Sequence, residues 1–166
     1  MSNEREGMSP QEIILSPFRP EDQEPIKRLV LAGLKDHWGV LDPTKNPDLT
    51  DIASSYANAT FLTAWKDGKL IGTGALVPRG KGVAEIVRMS VAGEMRRCGI
   101  GKMILQALRQ KAVELGVRRI ILETTETWHE VIAFYEKNGF KITHHQDGDV
   151  YFALDLGGHP GTEGPG

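Results

Sequence analysis

The stretch Glu94 to Lys102, EMRRCGIGK, joins an apolar run, AEIVRMSV, to a helical pattern, MILQALRQKAVELG. Small residues between a strand and a helix leave unpaired N–H groups at the helix start, where the helix dipole adds about half a positive charge. Gly99 and Gly101 let backbone approach a ligand closely, and Arg96, Arg97 and Lys102 supply charge-assisted donors around Cys98 and Ile100. Such a set suits a phosphate. A Walker A loop is excluded, because the positions for its first glycine and its Ser or Thr hold Arg96 and Met103. The dinucleotide fingerprint fails as well, since its third glycine is Ile104 and the loop does not open a parallel sheet.

The elements that must position this loop follow from periodicity. Glu12 to Phe18 reads as a strand. A helix follows with Asp22 as cap, Pro25 in its first turn and Ile26, Leu29, Val30 and Leu34 on one face. After a loop holding His37 and Trp38, Leu49, Ile52, Ala53 and Tyr56 form a short helix behind Asp48. Thr60 to Trp65, Leu70 to Val77 and Ala84 to Val91 make an antiparallel meander, its first turn being KDGK. A long helix with Ile100, Ile104, Leu108, Ala112 and Leu115 on one face ends at Gly116. A strand, Arg119 to Glu123, leads to a helix with Thr127 and Glu130 as a capping box and Val131, Phe134 and Tyr135 on its period. Two last strands, Phe140 to His145 and Val150 to Leu156, are hinged by QDGD. Strand, helix, strand from 84 to 123 is a crossover that makes its two strands parallel. The expected class is α+β, with one mixed sheet of six to seven strands and about four helices.

Arg96-x-x-Gly99-x-Gly101 at such a junction resembles the acetyl-CoA pyrophosphate loop of the GNAT (Gcn5-related N-acetyltransferase) superfamily. Arg19-Pro-Glu-Asp after the first strand, RMSV before the loop and AFYEKNGF from Ala133 to Phe140 resemble further family segments, so the likeness spans about Ile13 to Leu156. It implies a parallel, splayed fourth and fifth strand, with the acyl-pantetheine arm lying between them. The backbone of Met89, Ser90 and Val91 would pair with that arm, and the N–H near Met89 would face the thioester oxygen. The loop from Arg96 to Lys102 would grip the diphosphate.

An amine of pKa about 10.4 is neutral in about one part in a thousand near pH 7, so transfer gains from a base. Glu85, on the strand leading into the cleft, is the candidate. Tyr135 matches the family's general-acid tyrosine, which would protonate the leaving thiolate, whose conjugate acid has a pKa near 8.5. Where many members have Asn seven residues earlier, this chain has Trp128, whose role becomes packing on the arm or shaping the acceptor pocket. His37, Trp38, Thr124 and the 146 to 149 turn fall on the acceptor side by the same resemblance.

The resemblance implies an acetyl-CoA-dependent N-acetyltransferase acting by direct attack. The acceptor expected is the primary amine of a small metabolite or amino acid; a protein α- or ε-amine and a non-catalytic acyl-CoA-binding regulator are the alternatives. At 166 residues the chain suits one domain, residues 11–156, burying roughly 70% of its unfolded surface between flexible termini at 1–10 and 157–166. A net charge of -2 argues against nucleic acid as a partner. Apolar runs too short to span a bilayer argue against a membrane. A lone cysteine and a polar N-terminus point to the cytoplasm. The five histidines are scattered over loops, a helix and opposite faces of a strand, so no metal is expected. Exposed strand edges in the C-terminal half are compatible with a homodimer.

Overall fold

A computed structural model describes residues 12–38 and 46–157. Seven strands form one sheet: β1 (Ile14–Pro17), β2 (Thr60–Lys66), β3 (Lys69–Gly80), β4 (Val83–Val91), β5 (Arg119–Thr125), β6 (Lys141–Gln146) and β7 (Asp149–Asp155), in the order β1-β2-β3-β4-β5-β7-β6. Four helices accompany them: α1 (Gln23–Trp38), α2 (Ile52–Ser55), α3 (Ile100–Glu114) and α4 (His129–Lys137). The α+β class and the parallel β4/β5 pair agree with the sequence.

Three hairpins are closed by two-residue turns in which both central residues have positive φ: Asp67 and Gly68 (52° and 77°), Lys81 and Gly82 (57° and 79°), and Asp147 and Gly148 (50° and 86°). That is the turn whose twist matches paired strands, and its second residue is glycine each time because a left-handed Cβ is avoided there.

The chain divides into two compact units. The first takes in β1, α1, α2, β2, β3 as far as Ala75, β4 from Arg88, and α3 as far as Gln106. Its core holds Ile26 and Val30 of α1, Leu49 and Ile52, Phe61 and Ala64 of β2, Ile71 of β3, and Ile100 and Ile104 of α3. Each large aliphatic side chain so buried contributes about 1.5–3 kcal/mol. β1 runs antiparallel to β2, with Ile14 opposite Trp65 and Pro17 opposite Leu62.

The second unit takes in the end of β3, β4 as far as Val87, α3 from Ala107, β5, α4, β6 and β7. The parallel ladder of β4 and β5 is short: Val83 faces Arg119, Ala84 faces Ile120 and Glu85 faces Ile121. β5 and β7 pair antiparallel along their full length, from Arg119 opposite Asp155 to Thr125 opposite Asp149. Alternation puts Ile120, Leu122, Val150, Phe152 and Leu154 in the core with Leu108 and Ala112 of α3. All residues of β6 are exposed, and its register on β7 slips between Ile142 and His144.

Several local expectations need correction. The first strand is shorter than Glu12 to Phe18, and α1 continues through His37 and Trp38, placed above in a loop. Asp22 ends a 3-10 turn, Pro20–Asp22, and its carboxylate turns back to accept from the Arg19 amide at 3.1 Å. Asp51, not Asp48, caps α2 through the Ser54 amide, because Asp48 is taken up in a distant ion pair. α4 starts at His129 with Trp128 as its cap residue, so Thr127 does not occupy that position. Leu115 lies beyond α3 and is 55% exposed.

Candidate active site

The phosphate-type loop belongs to the first unit. After β4 the Ala92 amide donates to the Ile71 carbonyl at 2.8 Å, and a 3-10 turn, Gly93–Met95, lifts the chain off the sheet. Arg97 and Gly99 then take positive φ of 67° and 83°, a reversal that delivers Ile100 to the first position of α3. The first amide to close a bond along α3 is that of Met103, which donates to Gly99 at 3.0 Å. The amides of Ile100, Gly101 and Lys102 precede it and form the open, positive end of a 15-residue helix. Arg96, Arg97, Cys98 and Lys102 are all exposed around this end. Arg96 reaches Asp36 of α1 at 3.3 Å, and Glu94 is held by Lys69 at 2.8 Å, a bond that keeps its carboxyl below the usual range.

Gly72 of β3 sets the height of this end above the sheet. A Cβ there would lie 2.9 Å from Ile104 Cδ1, 3.0 Å from Ile100 Cγ2 and 3.3 Å from the Ser90 carbonyl oxygen. Only glycine lets the first turn of α3 rest on β3 beside the end of β4, so Met89, Ser90, Val91 and the loop are brought together here. A glycine inside an apolar strand run is the sequence signal of such close approach.

β4 is not regular. Arg88 has φ 55°, in the left-handed region, between Val87 and Met89. The buried Thr73 hydroxyl donates to its carbonyl at 2.8 Å. Its guanidinium binds both oxygens of Asp48, at 2.6 and 2.9 Å, and Asn46 at 3.0 Å. Asp48 also accepts from the Tyr56 hydroxyl at 2.5 Å. Burial pushes the Asp48 carboxyl up, but bonds from Arg88 and Tyr56 and the arginine's charge outweigh it and hold it below the usual range. Burial and the bond to Asp48 push the Tyr56 phenol up to about 12.

The acid–base candidates belong to the second unit. Glu85 is 18% exposed, and its Oε1 accepts from Arg79 Nη2 at 2.7 Å and Nε at 2.8 Å. Glu123 follows Glu85's partner Ile121 by two residues on β5, hence on the same face, opposite Tyr151 of β7. Its carboxyl is raised by burial and then by the charges of Asp149 and Glu85, against a lowering hydrogen bond from Tyr151. Sequence reading passed over Glu123, whose neighbours are supplied by two other strands.

Tyr135 of α4 is 6% exposed. Its ring meets those of Phe134, Phe140 and Phe152 with centroids 5.2, 5.7 and 5.7 Å apart. Burial alone pushes the phenol well above the ordinary range, and among the described residues its hydroxyl has no hydrogen-bond partner. Phe134, on the same helix period, is the less buried of the two. Thr124 is buried on the β5 face that carries Ile120 and Leu122, and Trp128 is half-buried at the start of α4. The side chains of His37 and Trp38 lie outside the described residues. Among the described residues no three metal-ligating side chains cluster, and no helix is long and apolar enough to cross a membrane.

The model of the Acetyltransferase (GNAT) family matches residues 27–140. N-acetyltransferase family 8 member 2 of Rattus norvegicus is 31% identical over 105 residues, which are 59% of this chain and 46% of that protein. The chain thus spans about half the length of that relative. The IAA acetyltransferase of Azospirillum brasilense is 30% identical over 113 residues, covering 67% of this chain and 74% of its own. The crystal structure of PaiA N-acetyltransferase from Thermoplasma acidophilum in complex with coenzyme A superposes with a TM-score of 0.78 at 22% identity, over 88% of this chain and all of that one.

Proposed function

The chain belongs to the acetyltransferase (GNAT) family, and from that premise we propose that it transfers an acetyl group from acetyl-CoA to a primary amine by direct attack. The observation that carries this reading is the open amide end of α3, set against β3 by Gly72 and ringed by Arg96, Arg97 and Lys102. A diphosphate matches it in charge and in number of oxygens. Cys98, Gly99, Ile100 and Gly101 complete the grip, and the backbone of Met89, Ser90 and Val91 receives the pantetheine arm, with Trp128 packing on it. A complex with coenzyme A in a protein of like fold supports the same ligand.

In the reaction the amine lone pair forms a C–N bond to the thioester carbonyl carbon and the C–S bond breaks. The Met89 amide stabilises the charge on the oxygen; a fixed donor of this kind is worth about 10²–10³ in rate. Glu85 takes the proton from the amine, and Arg79 orients its carboxylate. Tyr135 supplies a proton donor to the departing sulfur. Among the described residues the buried Tyr135 hydroxyl has no partner, and leaving such a group unpaired is costly to a fold, which supports a reacting group as its partner. The acceptor is a small metabolite or amino-acid amine, supported by the acidic face of Glu85, Glu123 and Asp149, which suits a cationic amine.

The test mixes the protein with acetyl-CoA and a panel of small amines while released thiol is followed, with calorimetry against coenzyme A alongside. Saturable binding and amine-dependent thiol release are expected. Heat without thiol release on any amine would refute catalysis, and a folded sample that gives no heat would refute the ligand.

A further inference from the structure

Arg88 is a strand residue held where strand residues do not settle. Left-handed φ brings an ordinary Cβ close to the neighbouring backbone, and such residues persist only when their surroundings over-determine them. Both halves of Arg88 are gripped. Its carbonyl accepts from Thr73, a fully buried residue of β3, and its guanidinium is bound by both oxygens of Asp48 and by Asn46.

The gripping groups are themselves fixed. Asp48 lies in the 3-10 turn Pro47–Leu49, and Leu49 and Ile52, which follow it, are fully buried. The Gln23 side chain ties this segment to α1, donating to the Leu49 carbonyl at 2.8 Å and accepting from the Ile52 amide at 2.9 Å. Tyr56 closes the ring on Asp48. Returning Arg88 to an extended conformation would carry its carbonyl off Thr73 and its guanidinium off Asp48.

A left-handed residue inside a strand also resets the alternation of the peptides that follow. The next peptide belongs to Met89. We infer that Asp48, Thr73 and Tyr56 are positioning residues for acetyl transfer: acting through the left-handed Arg88, they fix the direction in which the Met89 amide donates to the acyl oxygen. The inference rests on the acetyl-CoA reading above and adds to it the 46–56 segment, which reaches the chemistry through Arg88.

The test separates the backbone shape from the guanidinium. Arg88→Gly and Arg88→Val both lack the guanidinium, but only glycine accepts the left-handed region readily. Arg88→Val loses about 10²-fold in kcat, Arg88→Gly retains at least about tenfold more, and affinity for coenzyme A stays within about threefold in both. Asp48→Asn and Thr73→Val each lower kcat about tenfold at similar KM for acetyl-CoA, and Thr73→Ser, which keeps the hydroxyl, restores it. Tyr56→Phe stands in should Thr73→Val melt below assay temperature.

A second readout needs no turnover. The ¹⁵N amide resonance of Met89 moves in the wild type on adding a ketone analogue of acetyl-CoA, and moves less in Asp48→Asn. Equal kcat in the two Arg88 variants, an unaltered Met89 response in Asp48→Asn, or losses wholly in coenzyme A affinity would each overturn the inference. A wild-type chain that binds the analogue without turning over any amine refutes catalysis alone, because the Met89 resonance still decides this point. A wild-type chain that binds no analogue refutes both.

Discussion

The ring of Tyr135 lies against that of Phe152 with centroids 5.7 Å apart at 51°, while the hydroxyl of the same residue meets no partner among the described residues. The two ends of one side chain therefore do different things. Tyr135→Phe keeps the ring and removes the hydroxyl. Turnover measured by thiol release should fall about 10²-fold, in the range of a lost acid–base group. The melting temperature should hold or rise by about 2–4 °C, since a buried unpaired hydroxyl costs about 1 kcal/mol or more. A drop in both would make Tyr135 a packing residue.

The phenols report on the hydrogen-bonded Tyr56–Asp48–Arg88 group as well as on the core. Tyr56, Tyr135 and Tyr151 are the only tyrosines of the chain, and all three are raised above 10. Absorbance at alkaline pH should therefore show no phenol ionising at its ordinary value, with Tyr56 at about 12. A raised value means that the folded state prefers the neutral phenol. The stability Tyr56 contributes is whole below 10 and is lost as pH rises through about 12. Tyr56→Phe should flatten that part of the stability profile, and an unchanged profile would remove the bond to Asp48 from the account.

Gly72→Ala tests the seat of α3. The added methyl meets Ile104, Ile100 and the Ser90 carbonyl at 2.9 to 3.3 Å, and overpacking of this kind costs about 1–3 kcal/mol. Denaturant unfolding should show that loss, and calorimetry should show weaker binding of coenzyme A. A stable variant with full affinity would mean that the helix end can shift without consequence.

Glu123 and Glu85 share a face, and the charge of Glu85 is one of the causes that raise Glu123. In Glu85→Gln the carboxyl carbon of Glu123 should titrate lower by NMR, while thiol release falls about 10²-fold. Glu123's raised value is a proton preference of the folded state, present below the ordinary 4.5 and lost as pH rises through the raised value. Glu123→Gln should accordingly raise the melting temperature at pH 7 by about 1–2 °C, kept small by solvent screening. No such gain is expected at pH 4.

What the sequence disclosed, and what it withheld, divides along contact range. The Asp67-Gly68 and Asp147-Gly148 turns, the α3 face and the glycine loop are local patterns, and each reappears in the fold. Arg88 carries no local sign of its left-handed backbone, because the groups that impose it are Thr73 and Asp48, 15 and 40 positions away. Asp48 misled for the same reason: its spacing suits a cap, but a guanidinium from β4 outcompetes the helix amides for its oxygens. Leu115 fits the α3 period and yet faces solvent, since the helix stops before it at Glu114. Tyr135 was found by its motif, but that its ring would be core depends on Phe140 and Phe152.

The slipped register of β6 matters for colloidal behaviour. A fully solvated outer strand would offer incoming chains a straight row of amides and carbonyls, a nucleus for fibre growth. The offset between Ile142 and His144, with Lys141 charged beside it, spoils the spacing such growth needs. The irregularity thus works against polymerisation along an edge strand whose residues are all exposed.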